Sequence, residues 1–165
     1  DSQEPKETLM ILKRCRDIRL ELFNVIRLNN RKFNLHSSNV RLDLSDLNNE
    51  ERALLNATIK NRDILRQAKI ELIKTNPDHQ LIGSLLNNHH YILRDDLHVS
   101  TNKIERMLDA AMSAGAFGGK INGSGGGGCM FAYAPENPEA VAKAIELAGG
   151  KSYIINADEG TKALT

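Results

Sequence analysis

Residues 118–129 read Gly118-Gly-Lys-Ile-Asn-Gly-Ser-Gly-Gly-Gly-Gly-Cys129, and this stretch decides how the chain is organised. Five of the six residues from 123 to 128 are glycine. Each glycine costs roughly 0.5–1 kcal/mol relative to alanine in regular structure, so the backbone must either turn sharply here or let another group approach closely. The amides of such a loop can form an anion-binding concavity. Strand-like residues on both sides predict a loop between two strands, with a flexible hairpin tip as the alternative.

Two familiar nucleotide-binding motifs do not fit this loop. Gly123, Gly125 and Gly128 have the spacing G-x-G-x-x-G, but the dinucleotide fingerprint requires a helix directly afterwards, and a strand-like sequence follows here. The Walker A loop requires Lys and then Ser or Thr after its last glycine, whereas Cys129 and Met130 stand there. The loop therefore belongs to another class of glycine motif.

The rest of the chain divides at residue 115, because Gly83 is the one glycine before that point. Apolar residues at helical spacing predict helices over 8–29, over 50–74, from Pro77 onward, from 101 to 115 and from 137 to 149. Asn76 is expected to cap the third of these, and Ser100 or Thr101 the fourth. Strands are predicted at 120–122, 129–133 and 152–156, and a short strand or extended loop at 33–47. This pattern predicts an α+β fold with long helices packed on a small antiparallel sheet.

The composition is that of a globular protein and excludes several classes of function. Apolar residues make up 41% and charged residues 26%, and 22 Lys and Arg against 21 Asp and Glu leave a net charge of +1. No strong field therefore attracts nucleic acid or an anionic membrane. Aromatic residues are scarce at 4%, which argues against base stacking. The apolar runs fall far short of the roughly 20 residues that cross a bilayer, so neither nucleic acid nor membrane is expected as a partner.

The two cysteines and the N-terminus favour a cytoplasmic location. Cys15 and Cys129 are too few for a disulfide framework, which favours a reducing compartment. The start of the chain, Asp1-Ser-Gln-Glu-Pro5, has neither the basic nor the apolar region of a signal peptide. It also lacks an initial methionine, which indicates either processing or a longer parent chain.

Three stretches together resemble one kinase family. Residues 118–129 resemble the third, C-terminal motif of the GHMP kinases, residues 52–62 resemble the helix that opens the C-terminal half of galactokinases, and residues 85–100 are similar to the galactokinase pattern M-x-x-S-H-x-S-L-R-D-x-x-x-V-S. The matching positions in the last stretch are His89, Leu93, Arg94, Asp95, Val99 and Ser100. The resemblance spans about residues 50–160. The loop departs from the usual galactokinase wording, G-x-R-M-T-G-G-G-F-G-G-C, and is nearer to fucose-type and heptose-phosphate-type sugar kinases, which leaves the sugar open.

The resemblance implies the C-terminal domain of an ATP-dependent monosaccharide kinase with a ferredoxin-like sandwich fold. Galactose is the first sugar it suggests, and the alternatives are a fucose- or heptose-phosphate-type kinase and a non-catalytic sugar sensor. The glycine loop would shape and close the substrate cleft and offer amides to phosphate or sugar. The implied contacts are Gly123, Ser124, Gly125, Gly126, Gly127 and Gly128, with Lys120, Asn122 and Arg94 as further candidates.

The family's ATP phosphate loop, P-x-x-x-G-L-x-S-S, is not found in these 165 residues. We therefore interpret residues 1–165 as one C-terminal domain, with a helix and connector at 1–49 and the core at 50–165. An N-terminal kinase domain of the same protein is the expected partner, and it would bind most of the ATP and Mg²⁺. No catalytic residue and no metal site are expected in residues 1–165, which should be inactive alone. Without the N-terminal domain, the glycine loop should be exposed and poorly ordered.

Three further features allow a structural interpretation beside a functional one. His89 lies on the apolar stripe of its helix, which favours a hydrogen-bonded core histidine over a metal ligand. Arg94 and Asp95 could contact sugar or phosphate or form a helix-end pair, although adjacent helix residues are not expected to face each other. Cys129 could be a reactive thiol, but a small buried residue at the start of a strand is the favoured interpretation.

Overall fold

The structure, a computed structural model, has the predicted α+β architecture: helices pack on one face of an antiparallel pair of strands. It describes residues 1–6, 8–29, 33–36, 45, 47–156 and 160. The helices are α1 Thr8–Leu12, α2 Ile18–Asn29, α3 Asn49–Leu72, α4 His79–Tyr91, α5 Asn102–Ser113 and α6 Pro138–Leu147. The strands are β1 Gly118–Asn122 and β2 Cys129–Tyr133. π-Helical turns at Lys13–Asp17 and Ile92–Asp96 follow α1 and α4, so the helix predicted over 8–29 is present but interrupted.

The longest helix, α3, begins at a reciprocal cap. The side chain of Asn48 accepts the Glu51 N–H at 3.0 Å, and the Glu51 carboxylate accepts the Asn48 N–H at 2.9 Å, so two otherwise unpaired donors are satisfied. Leu54 in the first half of the helix is buried, whereas Leu65 and Leu72 in the second half are 60% and 62% exposed. The first half of the predicted apolar stripe therefore contributes most to the core, and Ile64 in the second half packs against it while partly buried.

One buried carboxylate joins the end of α3 to the start of α4. Glu71, which is 3% exposed, accepts the Asp78 N–H at 2.7 Å and the Lys74 ammonium at 2.6 Å. Asp78 in turn accepts the Leu81 N–H at 3.0 Å and is the N-cap of α4. The prediction that Asn76 caps this helix is therefore wrong, because the cap is Asp78, two residues later.

Helix α4 lies directly against β1, and the backbones meet at two glycines. A Cβ at Gly118 would lie 2.0 Å from the carbonyl oxygen of Gly83. No side chain fits between the helix and the strand at this point, which accounts for the one glycine in the first 114 residues. The contact fixes the strand that leads into the glycine loop.

Helix α5 separates two apolar clusters. Its Ile104 packs with Ile121 of β1 and with residues of α2 and α3 in the larger cluster. Its Met107, one turn further along the helix, packs with Val141 of α6 in the smaller cluster. Ile104, Met107 and Ile121 are almost fully buried, so α5 is held in both clusters. This packing fixes the N-terminus of α5 beside the glycine loop.

The third strand, predicted at 152–156, is not formed. Lys151 exchanges two backbone hydrogen bonds with Asp1, at 2.7 and 2.8 Å, and this pairing goes no further. Tyr153 and Ile155 are 65% and 80% exposed, so no packing holds the segment against the sheet. The strand or extended loop predicted at 33–47 lies largely outside the described residues, and residues 33–36 include a turn. None of the helices described is both long and apolar enough to cross a membrane.

Candidate functional site

The glycine loop connects β1 to β2, whose end residues Asn122 and Cys129 are paired. All five of its glycines have positive φ, from +70° to +110°. The requirement is strictest at Gly125, which has φ +82° and whose Cβ would lie 2.5 Å from the carbonyl oxygen of Val99. A residue with a side chain there would be both strained and in collision with backbone, so the glycine run is a built turn.

The loop is held by backbone contacts on two sides. The Gly126 N–H donates to the Val99 carbonyl at 2.7 Å, and the Gly128 carbonyl accepts the Ser2 N–H at 2.7 Å. Gly127 and Gly128 are buried beneath residues 1–6, and Gly125 is buried against Val99. The expected exposure is therefore wrong for these three glycines, because the N-terminal segment and Val99 pack on them, and the expected poor order of the loop stays a prediction.

A cavity of about 560 Å³ adjoins the loop. It is lined by Glu4, Pro5, Met10, Ile11, Arg14, His98, Ser100, Thr101 and Gly126. Thr101 lies at the N-terminus of α5, where its hydroxyl accepts the Ile104 N–H at 3.3 Å and donates to the Glu4 carboxylate at 2.6 Å. The cavity thus combines backbone of the loop, a helix N-terminus and both signs of side-chain charge, which suits a small polar ligand.

His98 carries backbone strain at the edge of this cavity. Its φ is +50°, a left-handed conformation that a non-glycine residue adopts at a cost of about 1–3 kcal/mol. Arg14 donates to the carbonyl of His98 at 3.1 Å and to that of Leu97, which holds the strained segment in place. Strain of this kind clusters at ligand-binding sites. Glu4 and Arg14 were not predicted from the sequence, because they reach the site from the opposite end of the chain. His98 was considered only as a possible metal ligand beside His89, because backbone strain leaves no local sequence pattern.

Lys120 and Asn122 lie on β1 just before the loop. Lys120 is half-buried, donates to the Ile121 carbonyl at 2.8 Å and lies 5.3 Å above the Phe131 ring, and burial lowers its pKa. Asn122 is exposed at the end of the strand. Both residues lie in β1 close to the loop, as predicted from the sequence.

His89 is not the core histidine that the sequence predicted. It is half-buried, and its pKa is lowered to about 4, mainly by burial and further by the nearby charges of Lys120 and His90. The buried, hydrogen-bonded histidine is its neighbour His90, which is 3% exposed and lies 2.9 Å from the Glu105 carboxylate. The prediction was wrong by one residue.

Arg94 is held by neighbouring helix residues and does not reach the loop. Its guanidinium forms two bonds to Asp95, at 2.6 and 2.9 Å, and one to Glu105 at 3.3 Å, and it lies 5.0 Å above the Tyr91 ring. The hydrogen bonds with Asp95 raise the pKa of Arg94 and lower that of Asp95. The expectation that these adjacent residues do not face each other is wrong, because the long arginine side chain can reach its neighbour, as it does for Arg62 and Asp63 within α3.

Two features bear on the chemistry that the described residues can perform. Cys129 is exposed, so the favoured interpretation as a buried residue is wrong: its side chain points away from the core where β2 begins. Among the residues described, no group of three or more His, Cys, Asp or Glu side chains is arranged to hold a metal ion. What these residues offer a ligand is a cavity with apolar and charged lining beside the backbone of the loop.

Comparison with known proteins gives one family. Residues 68–151 match the model for the C-terminal domain of GHMP kinases. The chain is 50% identical to the mevalonate kinase of Thermococcus onnurineus over 82 residues, which are 49% of this chain and 24% of that protein. It is 31% identical to the galactokinase of Homo sapiens over 107 residues, 62% of this chain and 27% of that one.

The fold comparison agrees with the sequence comparison. The galactokinase of Lactococcus lactis, solved with galactose, matches 92% of this chain and 42% of its own length with a TM-score of 0.58. At 20% identity this likeness shows the fold alone. The chain spans about a quarter of the length of the curated relatives it matches. Because the family model covers just over half of the residues, we conclude that the chain belongs to the GHMP kinases and carries their C-terminal domain.

Proposed function

We propose that this chain is the C-terminal part of an ATP-dependent kinase that transfers the γ-phosphate to a hydroxyl group of a small acceptor. The observation that carries the proposal is the glycine loop, whose five left-handed glycines turn beside a cavity of about 560 Å³ lined by apolar and charged side chains. A loop without side chains lets phosphate or acceptor approach its backbone closely. Phosphoryl transfer depends mainly on such positioning and on charge stabilisation.

Mevalonate is the acceptor we propose to test first. The identity to mevalonate kinases is 50% over 82 residues, against 31% over 107 residues for galactokinase. Galactose is the second candidate, because the galactokinase similarity extends over more of this chain and a galactokinase shares the fold. A sugar kinase, the function implied by the sequence motifs, remains within the same reaction class.

ATP and Mg²⁺ would be held mainly by an N-terminal domain of the same protein, which supplies the phosphate loop and the catalytic residues in this proposal. MgATP, when bound, provides the γ-phosphate. The residues of this chain are suited to only a limited role in binding MgATP. The Gly126 amide already donates to Val99, and the described residues contain no metal-binding cluster. Their work is to close one wall of the cleft and keep water from the acceptor.

The test is a coupled assay of ADP release by the intact protein with ATP and either mevalonate or galactose. We expect mevalonate to be used at least about 100-fold more efficiently than galactose, because a site built for one polar acceptor rejects another. We expect no turnover from residues 1–165 alone. The Gly126→Val variant should lower turnover about tenfold or more, because a shift of about 1 Å near the chemistry can cost about 100-fold.

Gly115→Val is the matched control for the loop variant. Gly115 also has positive φ, but a Cβ there would meet nothing within 4 Å. Faster turnover with galactose would select the second candidate. Binding of an acceptor with no turnover by the intact protein would instead support the non-catalytic sensor.

A further inference from the structure

The free edge of β1 is capped by two side chains of α4. One edge of β1 pairs with β2, and the other has no strand beside it among the described residues. On that side the Gly119 N–H donates to the Asn87 side chain at 2.9 Å, and the Ile121 N–H donates to His90 Nδ1 at 3.2 Å. Asn87 and His90 are three positions apart and share a helix face, so α4 replaces a strand at this edge.

The hydrogen bond from Ile121 fixes the proton on the His90 ring. Because Nδ1 accepts, the neutral ring carries its hydrogen on Nε2. Nε2 lies 2.9 Å from the Glu105 carboxylate and donates to it. The position of β1 is therefore linked through one imidazole to the first turn of α5.

The same carboxylate is linked to the middle of the glycine loop. The Ser100 hydroxyl donates to the Glu105 oxygen that also accepts from His90. Ser100 directly follows Val99, whose carbonyl accepts the Gly126 N–H at 2.7 Å. Arg94 donates to the second Glu105 oxygen at 3.3 Å and balances its charge.

We propose that Glu105 is a positioning residue for the glycine loop, which it holds in place from two directions. One path runs through His90 and Ile121 to the strand that enters the loop, and the other through Ser100 and Val99 to Gly126. Glu105 itself does not contact the loop. Its side chain is 25% exposed, and its effect passes through the groups it orients.

Ser100→Ala and Glu105→Gln test this proposal by amide hydrogen exchange on the full chain. Glutamine has one acceptor oxygen in place of two and cannot serve all three donors. We expect Glu105→Gln to speed exchange at both Ile121 and Gly126 by about tenfold or more. Ser100→Ala, a milder change, should speed exchange at Gly126 and leave Ile121 within about twofold.

The chain offers a matched control in α6. There the Ser152 hydroxyl donates to the Glu146 carboxylate at 2.6 Å, the same pair of groups in an exposed place away from the loop. Ser152→Ala and Glu146→Gln should leave Ile121 and Gly126 unchanged. The Val141 amide in the first turn of α6 reports any change that spreads beyond this network in every variant.

Two results would overturn the proposal. One is unchanged exchange at Gly126 in both Ser100→Ala and Glu105→Gln. The other is an equal rise at Gly126, Ile121 and Val141, which would give Glu105 only a general part in stability. The experiment uses no substrate, so its outcome is independent of the proposed function, which the kinase assay tests separately.

Discussion

The glycine loop and the α3–α4 junction are both tight connections, but the first is held by backbone groups and the second by a side chain. Backbone groups hold the loop, through the bonds of Gly126 with Val99 and of Gly128 with Ser2. A single side chain holds the junction, since the buried carboxylate of Glu71 accepts from Asp78 and Lys74. The loop keeps its conformation because its glycines have no side chains, whereas the junction requires the side chain of Glu71.

This difference decides which changes each connection tolerates. Adding even one methyl group to the loop should disturb it, whereas the junction should be sensitive to the removal of one carboxylate. A loop without side chains also lets other segments of the chain approach its backbone closely, as Val99 and Ser2 do, which a junction filled by a glutamate and a lysine does not. This close approach thus explains a construction that costs chain entropy.

The largest effect is expected from Gly125→Ala. The new Cβ would lie 2.5 Å from the Val99 carbonyl oxygen at φ +82°. The left-handed conformation costs about 1–2 kcal/mol, and overpacking adds about 1–3 kcal/mol. Gly115→Ala has the same kind of backbone, with φ +100°, but no neighbour within 4 Å, so it should cost the conformational part alone. Urea unfolding of both variants measures the difference.

Equal losses in the two variants would contradict the close approach of Val99 to the loop. The difference between them isolates the contact, because the conformational cost is common to both. A larger loss at Gly115 would mean that the helix end, and not the loop, is the more constrained of the two positions.

The sequence predicted the loop but not what covers it. The glycine run, the strands on both sides and the stop at Gly115 are local patterns, and the structure confirms a turn between two strands. The pairing of Ser2 with Gly128 joins residues that are far apart along the chain, and no local pattern marks it. The hydrogen bond from Arg14 to the His98 carbonyl beside the cavity also joins distant residues, and no local pattern marks it.

The error at His89 has a physical reason. Periodicity placed the apolar residues of α4 inward, and His89 with them. The helix also turns a second face, Gly83, Asn87 and His90, toward the edge of β1, because unpaired strand amides need acceptors. Polar residues can therefore mark a buried face when the neighbour is a strand edge, and apolar periodicity alone does not reveal this.

A smaller effect is expected from Glu71→Ala. The change leaves the Asp78 N–H without its acceptor at the start of α4 and frees Lys74. The bond that is lost has a charged acceptor, so the urea midpoint should fall, though less than in Gly125→Ala. Glu136→Ala removes an exposed carboxylate and is the control. A midpoint equal to that of the control would show that Glu71 is dispensable to the junction.

The smallest expected effect is a difference in how the stability contributions of the two regions depend on pH. Burial lowers the pKa of His89, near β1, from 6.5 to about 4, so the folded state keeps the ring neutral while the unfolded chain binds a proton. Stability on this side is therefore lost as the pH falls from 6.5 towards 4. The hydrogen bond from Asp78 lowers the pKa of Glu71 below 4.5, so its contribution is present above 4.5 and is lost only below that.

Acidification from about pH 7 to about pH 5.5 should therefore weaken the loop side and leave the junction unchanged. The urea midpoint of the wild-type chain should fall over this interval by more than that of His89→Gln, whose amide does not titrate. Glu71→Ala keeps His89 and should fall as far as the wild type does. Groups elsewhere titrate alike in all three chains and cancel in the differences. If His89→Gln fell as steeply as the wild type, the half-buried neutral imidazole would not be the source of the pH dependence.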